Sequence, residues 1–399
     1  MIATHAHARG FMHSETHRFH QFDNLRAVIV LLGIPFHAAF FLYAIALLKS
    51  GHPFSDNSQI PTYTIHDAFF LLAFYLHTYY MPLFFLLAGF SSHLLHEKKG
   101  VAHFVRNRLI RIGLPFVLFM LLMAPFALSP ILAMTLQDHQ SFLKVIQLKY
   151  QDGSLWHYLD NTWSGWFLYD LLCFYVASLL WMMITHRRFK TNKIALFLHE
   201  KMQQLLLSRW IYLFVLVLSV AALMLGGNWY DVPHRSFQLS FSLLFYYGLW
   251  YFIGWHIWKR RTDLSHLVEC PWKKLLVSFL AYIVFLVMYH QFYNAQSVWL
   301  HWVTTSTYCI SMIFGVFANL GIAYRYLSSH QPILRYFVSA SYWIYLTKIP
   351  VLFALTPMLV SIAMPVYMQF ILATFFCLAI TVGSYQLLVR HTWLRFLMG

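Results

Sequence analysis

Ten runs of about 20 mostly apolar residues, separated by more polar segments, constrain this chain more than any other feature. They fall near 26–48, 70–92, 112–134, 164–185, 210–227, 239–258, 275–292, 303–324, 337–360 and 367–389. An α-helix rises 1.5 Å per residue, so each run matches a hydrocarbon core about 30 Å thick. Composition closes the alternatives. The chain is 60% hydrophobic, 19% aromatic and only 10% charged, too few charges to cover a soluble globule. It is also too apolar for a disordered chain. The expected fold is an all-α polytopic membrane protein of about ten transmembrane helices. The expected division is a cytoplasmic tail at 1–22, a membrane domain at 23–390 and a short cytoplasmic tail at 391–399.

The charges orient the spans. The net charge of +15 would suit nucleic acid only as a basic face on a soluble domain, and here the basic residues fall between apolar runs. Placing the N-terminus inside puts 23 Lys and Arg in alternate, inner segments and 4 in the outer ones, with Lys348 inside a run. Positive-inside asymmetry of that size predicts both termini in the cytoplasm, in an inner-membrane, multi-pass arrangement. Cys173, Cys309 and Cys377 lie in apolar runs and Cys270 in a basic loop, so they read as small apolar fillers rather than disulfide partners. The first 20 residues hold Arg9, Arg18 and five histidines, His5, His7, His13, His17 and His20. They have no apolar core of a signal peptide and no metal-site spacing, which reads as a cytosolic tail with no metal.

The outer segments differ in chemistry. Segment 49–69 carries Asp56 and Asp67. Segment 135–163 carries Asp138, Asp152 and Asp160 among Trp156, His157, Tyr158 and Trp163. Acids and aromatics facing outward suit a glycan acceptor; an interfacial aromatic belt gives the same pattern. Internal repeats and matched Gly/Pro-broken spans, common in transporters, are not evident.

Ionisable residues within spans are costly and mark function by default. Arg26 and His37 lie in the first run, Asp170 in the fourth and Lys348 in the ninth. Arg26 and His37 are eleven residues apart, three turns plus about 20°, so they share one helix face about 16 Å apart along the axis. Arg26 then sits at the cytosolic mouth with His37 near mid-membrane, and Asp23, one turn earlier, can orient the guanidinium. An extended ligand with an anionic head and a deep reactive end, the shape of a coenzyme A thioester, fits that stripe. An ordinary positive-inside anchor plus a core histidine fits it too. Arg106, Arg108 and Arg111 precede the third run, and Arg108 and Arg111, three apart, present a guanidinium pair suited to phosphate or simply to orientation.

These residues resemble the membrane-bound acyltransferase-3 family. The stretch FDNLRAVIVLLGIPFH (Phe22–His37) is similar to its first helix. FFLLAGF (Phe84–Phe90), RLIR (Arg108–Arg111) and Pro115 resemble its second and third helices. WFLYDLL (Trp166–Leu172) and SYWIYLTK (Ser341–Lys348) resemble its fourth and ninth. The LLGIPFH ending is most like the branch that succinylates periplasmic glucans. The resemblance implies His37 as catalytic base and Arg26, Arg108 and Arg111 as acyl-CoA-binding residues, with Asp23, Asp170 and Lys348 supporting. The family usually has His where Lys348 stands, and often a His before the WFL motif where this chain has Ser164.

Lys348 and Asp170 are expected at comparable depth, so a structural ion pair is one expectation. Recognition of the free carboxylate of a dicarboxyl donor such as succinyl-CoA is the other. The implied reaction is O-acyl transfer from cytoplasmic succinyl-CoA or acetyl-CoA to a periplasmic or cell-surface glycan hydroxyl. No bound cofactor and no nucleic-acid partner are expected; the partners are acyl-CoA inside, a glycan outside and the bilayer. O-acetylation of lipopolysaccharide or another surface polysaccharide is the enzymatic alternative. A transporter using His37, Asp170 and Lys348 as a path is the alternative from another class.

Overall fold

The computed structural model describes residues 20–49, 65–121, 123, 142–151, 162, 165–188, 193–231, 236–258, 264–292, 297–329, 331–362 and 364–398. Among these, every regular element is helical. In chain order they are α1 (His20–Lys49), α2 (Ile65–Arg108), a π-helical turn (Leu109–Gly113), α3 (Phe142–Gln151), α4 (Trp166–Arg188), α5 (Lys193–Leu206) and α6 (Trp210–Leu225). There follow α7 (Phe241–Ile257), α8 (Ser265–Val268), α9 (Pro271–Phe292), α10 (Val298–Tyr326), α11 (Pro332–Ser361), α12 (Val366–Ser384), a second π turn (Tyr385–Val389) and α13 (Leu394–Met398).

Six helical stretches among the described residues are long and apolar enough to cross a membrane, or seven if the α5–α6 pair, bent by 106°, forms one span. Each of the ten predicted runs is largely helical where it is described, and 124–134 lies outside the described residues. The lower number has physical reasons. At 17 residues, α7 rises only about 26 Å. The continuous stretch Leu71–Leu121 holds two of the predicted runs. It folds back at Gly100, whose φ of 78° is a conformation that a side chain disfavours. In a straight helix residues 92 and 108 would lie about 24 Å apart, yet the Arg108 guanidinium donates to Ser92 Oγ at 3.1 Å.

Packing sets a central layer and an outer one. α1 lies against α11 and α2, and α2 lies along α7. That α2–α7 contact is a reciprocal glycine crossing: a Cβ on Gly89 would strike the Tyr251 carbonyl, and one on Gly254 the Leu86 carbonyl. Without hydrophobic pressure between lipid-embedded helices, such close backbone approach is a main source of association. The interior between α2, α7 and α10 is filled by Phe85, Tyr246, Tyr247, Trp250 and Tyr308, all buried. By contrast α9 and α12 turn Leu276, Leu280, Ile371 and Phe375 outward, as lipid-facing helices do.

Candidate active site

The local sequence explains why α1 carries the site. Its first turn has Asp23 for the helix dipole, and neighbouring Asn24 is buried with its amide donating to Leu327 O at 2.9 Å and Ser329 O at 3.2 Å. These carbonyls belong to the exit of α10, so the mouth end of α1 is pinned two residues before Arg26. Asp23 lies 3.9 Å from the Arg26 guanidinium, as the spacing implied.

Arg26 opens onto a cavity of about 520 Å³ shared by α1, α2, α4 and α11. Asp23, Arg26, Lys98, Arg108 and Arg111 line it. The sequence-predicted basic residues of two separate runs therefore meet around one space, close enough that Arg26 and Arg108 both act electrostatically on Arg111. Repulsion among three guanidiniums is unfavourable unless an anion fills the space between them. Their hydrogen bonding fits this: Nε of Arg26 and of Arg108 are buried without an acceptor among the described residues. Arg108 is nonetheless fixed, by Ser92 and by packing of its guanidinium 4.9 Å from the Tyr175 ring and 5.5 Å from that of Phe104. The π turn at Leu109–Gly113 places Arg111 on a widened coil, a feature frequent at functional sites.

Away from the mouth the lining becomes aromatic and apolar, with Val30, Phe84, Phe167 and Tyr345. One turn further along each of three helices stand Gly33, Tyr80 and Lys348, and these three meet. Lys348 Nζ donates to the Tyr80 hydroxyl at 3.2 Å. It lies 5.2 Å from the Tyr345 ring centroid. A Cβ on Gly33 would come within 2.5 Å of Nζ and would also strike the Tyr80 hydroxyl. His37 is one turn beyond Gly33, whose carbonyl accepts from His37 Nδ1 at 2.6 Å. A carbonyl can only accept, so Nδ1 carries a proton, and in the neutral ring Nε2 is then the basic nitrogen. His37 does not line the cavity itself. Arg26, Val30, Gly33 and His37 form one stripe, with the cavity at one end and the imidazole at the other.

The expected Asp170–Lys348 pair is not formed. Lys348 is 1% exposed, and among the described residues its amino group meets Tyr80 and Tyr345 and no carboxylate. α4 meets α11 through Phe167, whose ring lies 5.8 Å from that of Tyr345. Asp170 lies instead within electrostatic reach of Tyr247 on α7. Helical rise along each run could not say which way the two helices face. The acids Asp138, Asp152 and Asp160 with Trp156, His157, Tyr158 and Trp163, the residues 50–64, the histidines before His20 and Ser164 lie outside the described residues.

A second polar cluster escaped the sequence reading. Asp231, fully buried in the connection from α6 to α7, accepts from the hydroxyls of Tyr247 and Tyr308. Its Oδ1 lies 3.7 Å from His77 Nδ1. His77 in turn stacks on Phe36, ring centroids 5.4 Å apart, and Phe36 packs edge-on to His37. The one available signal was a histidine inside an apolar run; nothing in local sequence shows that a loop aspartate folds back to meet it.

An acyltransferase domain profile matches residues 19–389. Among curated proteins, the chain is 23% identical to Glucans biosynthesis protein C of Salmonella typhi, covering 94% of this chain and 93% of that one. It is 24% identical to Glucans biosynthesis protein C of Escherichia coli O157:H7 (strain EC4115 / EHEC), again over 94% and 93%. No solved structure matches. With the profile covering nearly the whole chain and the guanidinium–histidine stripe in place, the chain belongs to the acyltransferase-3 family and is a multi-pass membrane acyltransferase.

Proposed function

We propose that the protein moves an acyl group, succinyl or acetyl, from cytoplasmic acyl-CoA to hydroxyls of a periplasmic or cell-surface glycan. Glucan succinylation is the favoured case, in an inner-membrane bundle of ten spans with both termini cytoplasmic. The observation that carries the reading is the convergence of Arg26, Arg108 and Arg111 on one cavity whose α1 lining ends at Val30, two turns before His37 on the same stripe. The three guanidiniums bind the anionic phosphates of CoA, with planar, charge-assisted contacts. The pantetheine arm runs along the aromatic lining, and the thioester reaches the Gly33–His37 turn.

In the reaction, His37 Nε2 takes the proton of the acceptor hydroxyl as its oxygen bonds to the thioester carbonyl carbon. The C–S bond then breaks, and the proton passes to the CoA thiolate. General-base assistance of this kind contributes about 10²–10⁴-fold. The glucan acceptor is supported by the relatives that carry that name at 23–24% identity; another surface polysaccharide fits the donor end equally.

The test follows CoA release from succinyl-CoA and acetyl-CoA by purified protein in nanodiscs, with and without periplasmic glucan. Wild type releases CoA in a glucan-dependent way. His37→Ala loses about 10²–10⁴-fold in kcat with CoA still bound, whereas Arg26→Ala chiefly raises the donor KM. A folded wild type that neither binds nor consumes either thioester overturns the reading.

A further inference from the structure

Lys348 is the buried group that this mechanism leaves without a task. Its amino group is almost completely enclosed, carries up to three N–H donors, and among the described residues has one hydrogen-bond acceptor, the Tyr80 hydroxyl. A buried amine is expensive in a membrane interior, and more so without a counter-ion. The cost is not offset by a structural ion pair, since Asp170 faces elsewhere.

Position decides between the roles open to it. The cavity ends at Val30 on α1, Phe84 on α2 and Tyr345 on α11. Gly33, Tyr80 and Lys348 are the next residues along those same helices, and His37 is one turn beyond Gly33. Lys348 Nζ, packed at Gly33, therefore stands along α1 at the level between the last cavity residue and the base. The atom of a donor held at that level is the thioester carbonyl, which must lie beside His37 to react. The far end of a dicarboxyl acyl chain would extend past it. Gly33 lets Nζ and the Tyr80 hydroxyl pack directly onto the α1 backbone, since a Cβ there would strike both.

We infer that Lys348 Nζ, aimed by the Tyr80 hydroxyl, donates to the thioester carbonyl oxygen and stabilises the oxyanion that forms when the acceptor oxygen attacks. This rests on the donor reading above. As the acceptor O–C bond forms, the carbonyl electron pair moves onto oxygen, where Nζ–H holds it. When the pair returns, the C–S bond breaks and the thiolate takes the proton from His37. The oxyanion is also the counter-charge that the buried amine lacks in the free protein. Donors of this type act most strongly where water is excluded. Lys348 is then a catalytic residue and Tyr80 a positioning residue.

Lys348→Met and Tyr80→Phe, beside wild type and His37→Ala, test the assignment in nanodiscs. The readouts are kcat and KM for acetyl-CoA and succinyl-CoA, CoA affinity and the thermal midpoint. Replacing a buried, unpaired charge by an apolar residue of similar size leaves folding intact. The expected result for Lys348→Met is a fall in kcat of about 10²–10³-fold for both donors, with donor KM and CoA affinity within about threefold of wild type. Tyr80→Phe lowers kcat by a smaller factor, again for both donors. Unchanged kcat in either folded variant overturns the inference. So does a loss confined to succinyl-CoA, which would make Lys348 a reader of the acyl carboxylate, or a change in KM alone. Should Lys348→Met lose CoA binding through misfolding, Tyr80→Phe decides by the same criterion. An inactive wild type refutes the donor reading itself; an active wild type with unaffected variants refutes only this role.

Discussion

At the scale of single residues, the site is held by groups with little direct chemistry. Asn24 shows the principle: two residues from Arg26, its buried amide satisfies two carbonyls at the end of α10. Each such hydrogen bond contributes about 0.5–1.5 kcal/mol net, and more is lost when a buried partner is left unsatisfied. Asn24→Ala is therefore expected to raise the acyl-CoA KM severalfold through a displaced Arg26. It should leave kcat nearly unchanged and lower thermal stability measurably; steady-state kinetics with a melting curve checks all three. A fall in kcat with unchanged KM would contradict this. Asn24 was invisible in sequence because its partners are about 300 positions away. Arg26, Asp23 and His37 were legible because helical spacing alone puts them on a common face.

At the scale of elements, the contacts that matter are those in which backbone meets backbone. Gly89 and Gly254 each face a carbonyl of the opposite helix, which cannot swing aside as a flexible side chain can. Gly89→Val or Gly254→Val must push α2 and α7 apart, and overpacking of this kind costs about 1–3 kcal/mol or more. Since α2 also carries Tyr80 and the cavity wall, activity should fall together with the melting temperature. Gly383, in α12, has nothing within 4 Å of where its Cβ would stand. Gly383→Ala is expected to be neutral or stabilising by up to about 1 kcal/mol, from helix propensity alone. Parallel thermal unfolding of the three variants checks the contrast. The hairpin at Gly100 belongs to this scale as well. Two apolar runs and a basic turn between them were readable, but the sequence did not reveal that helix continues to the turn on both sides.

For the whole molecule, orientation across the bilayer is the proposal with the most direct test. Cys270 is exposed in a basic connection, Cys309 and Cys377 are buried and Cys173 is partly so. With the basic loops cytoplasmic, a membrane-impermeant maleimide should label Cys270 in inside-out vesicles and spare it in intact spheroplasts, with Cys270→Ser as control. Labelling in intact spheroplasts would invert the topology. What the sequence determined by itself was whatever depends on local period and composition: an all-helical membrane chain, the Arg26–His37 stripe, the arginine pair before the third run and the family. What only the tertiary structure decided was every statement about which helix faces face one another. Arg108 and Arg111 joined Arg26 around one cavity, Lys348 turned to Tyr80 and Gly33 rather than to Asp170, and Asp231 folded back to His77. Apolar faces that all tolerate lipid leave helix rotation and pairing unspecified in one dimension. Close glycine contacts, aromatic packing and buried hydrogen bonds between residues far apart in the chain are what select a single arrangement.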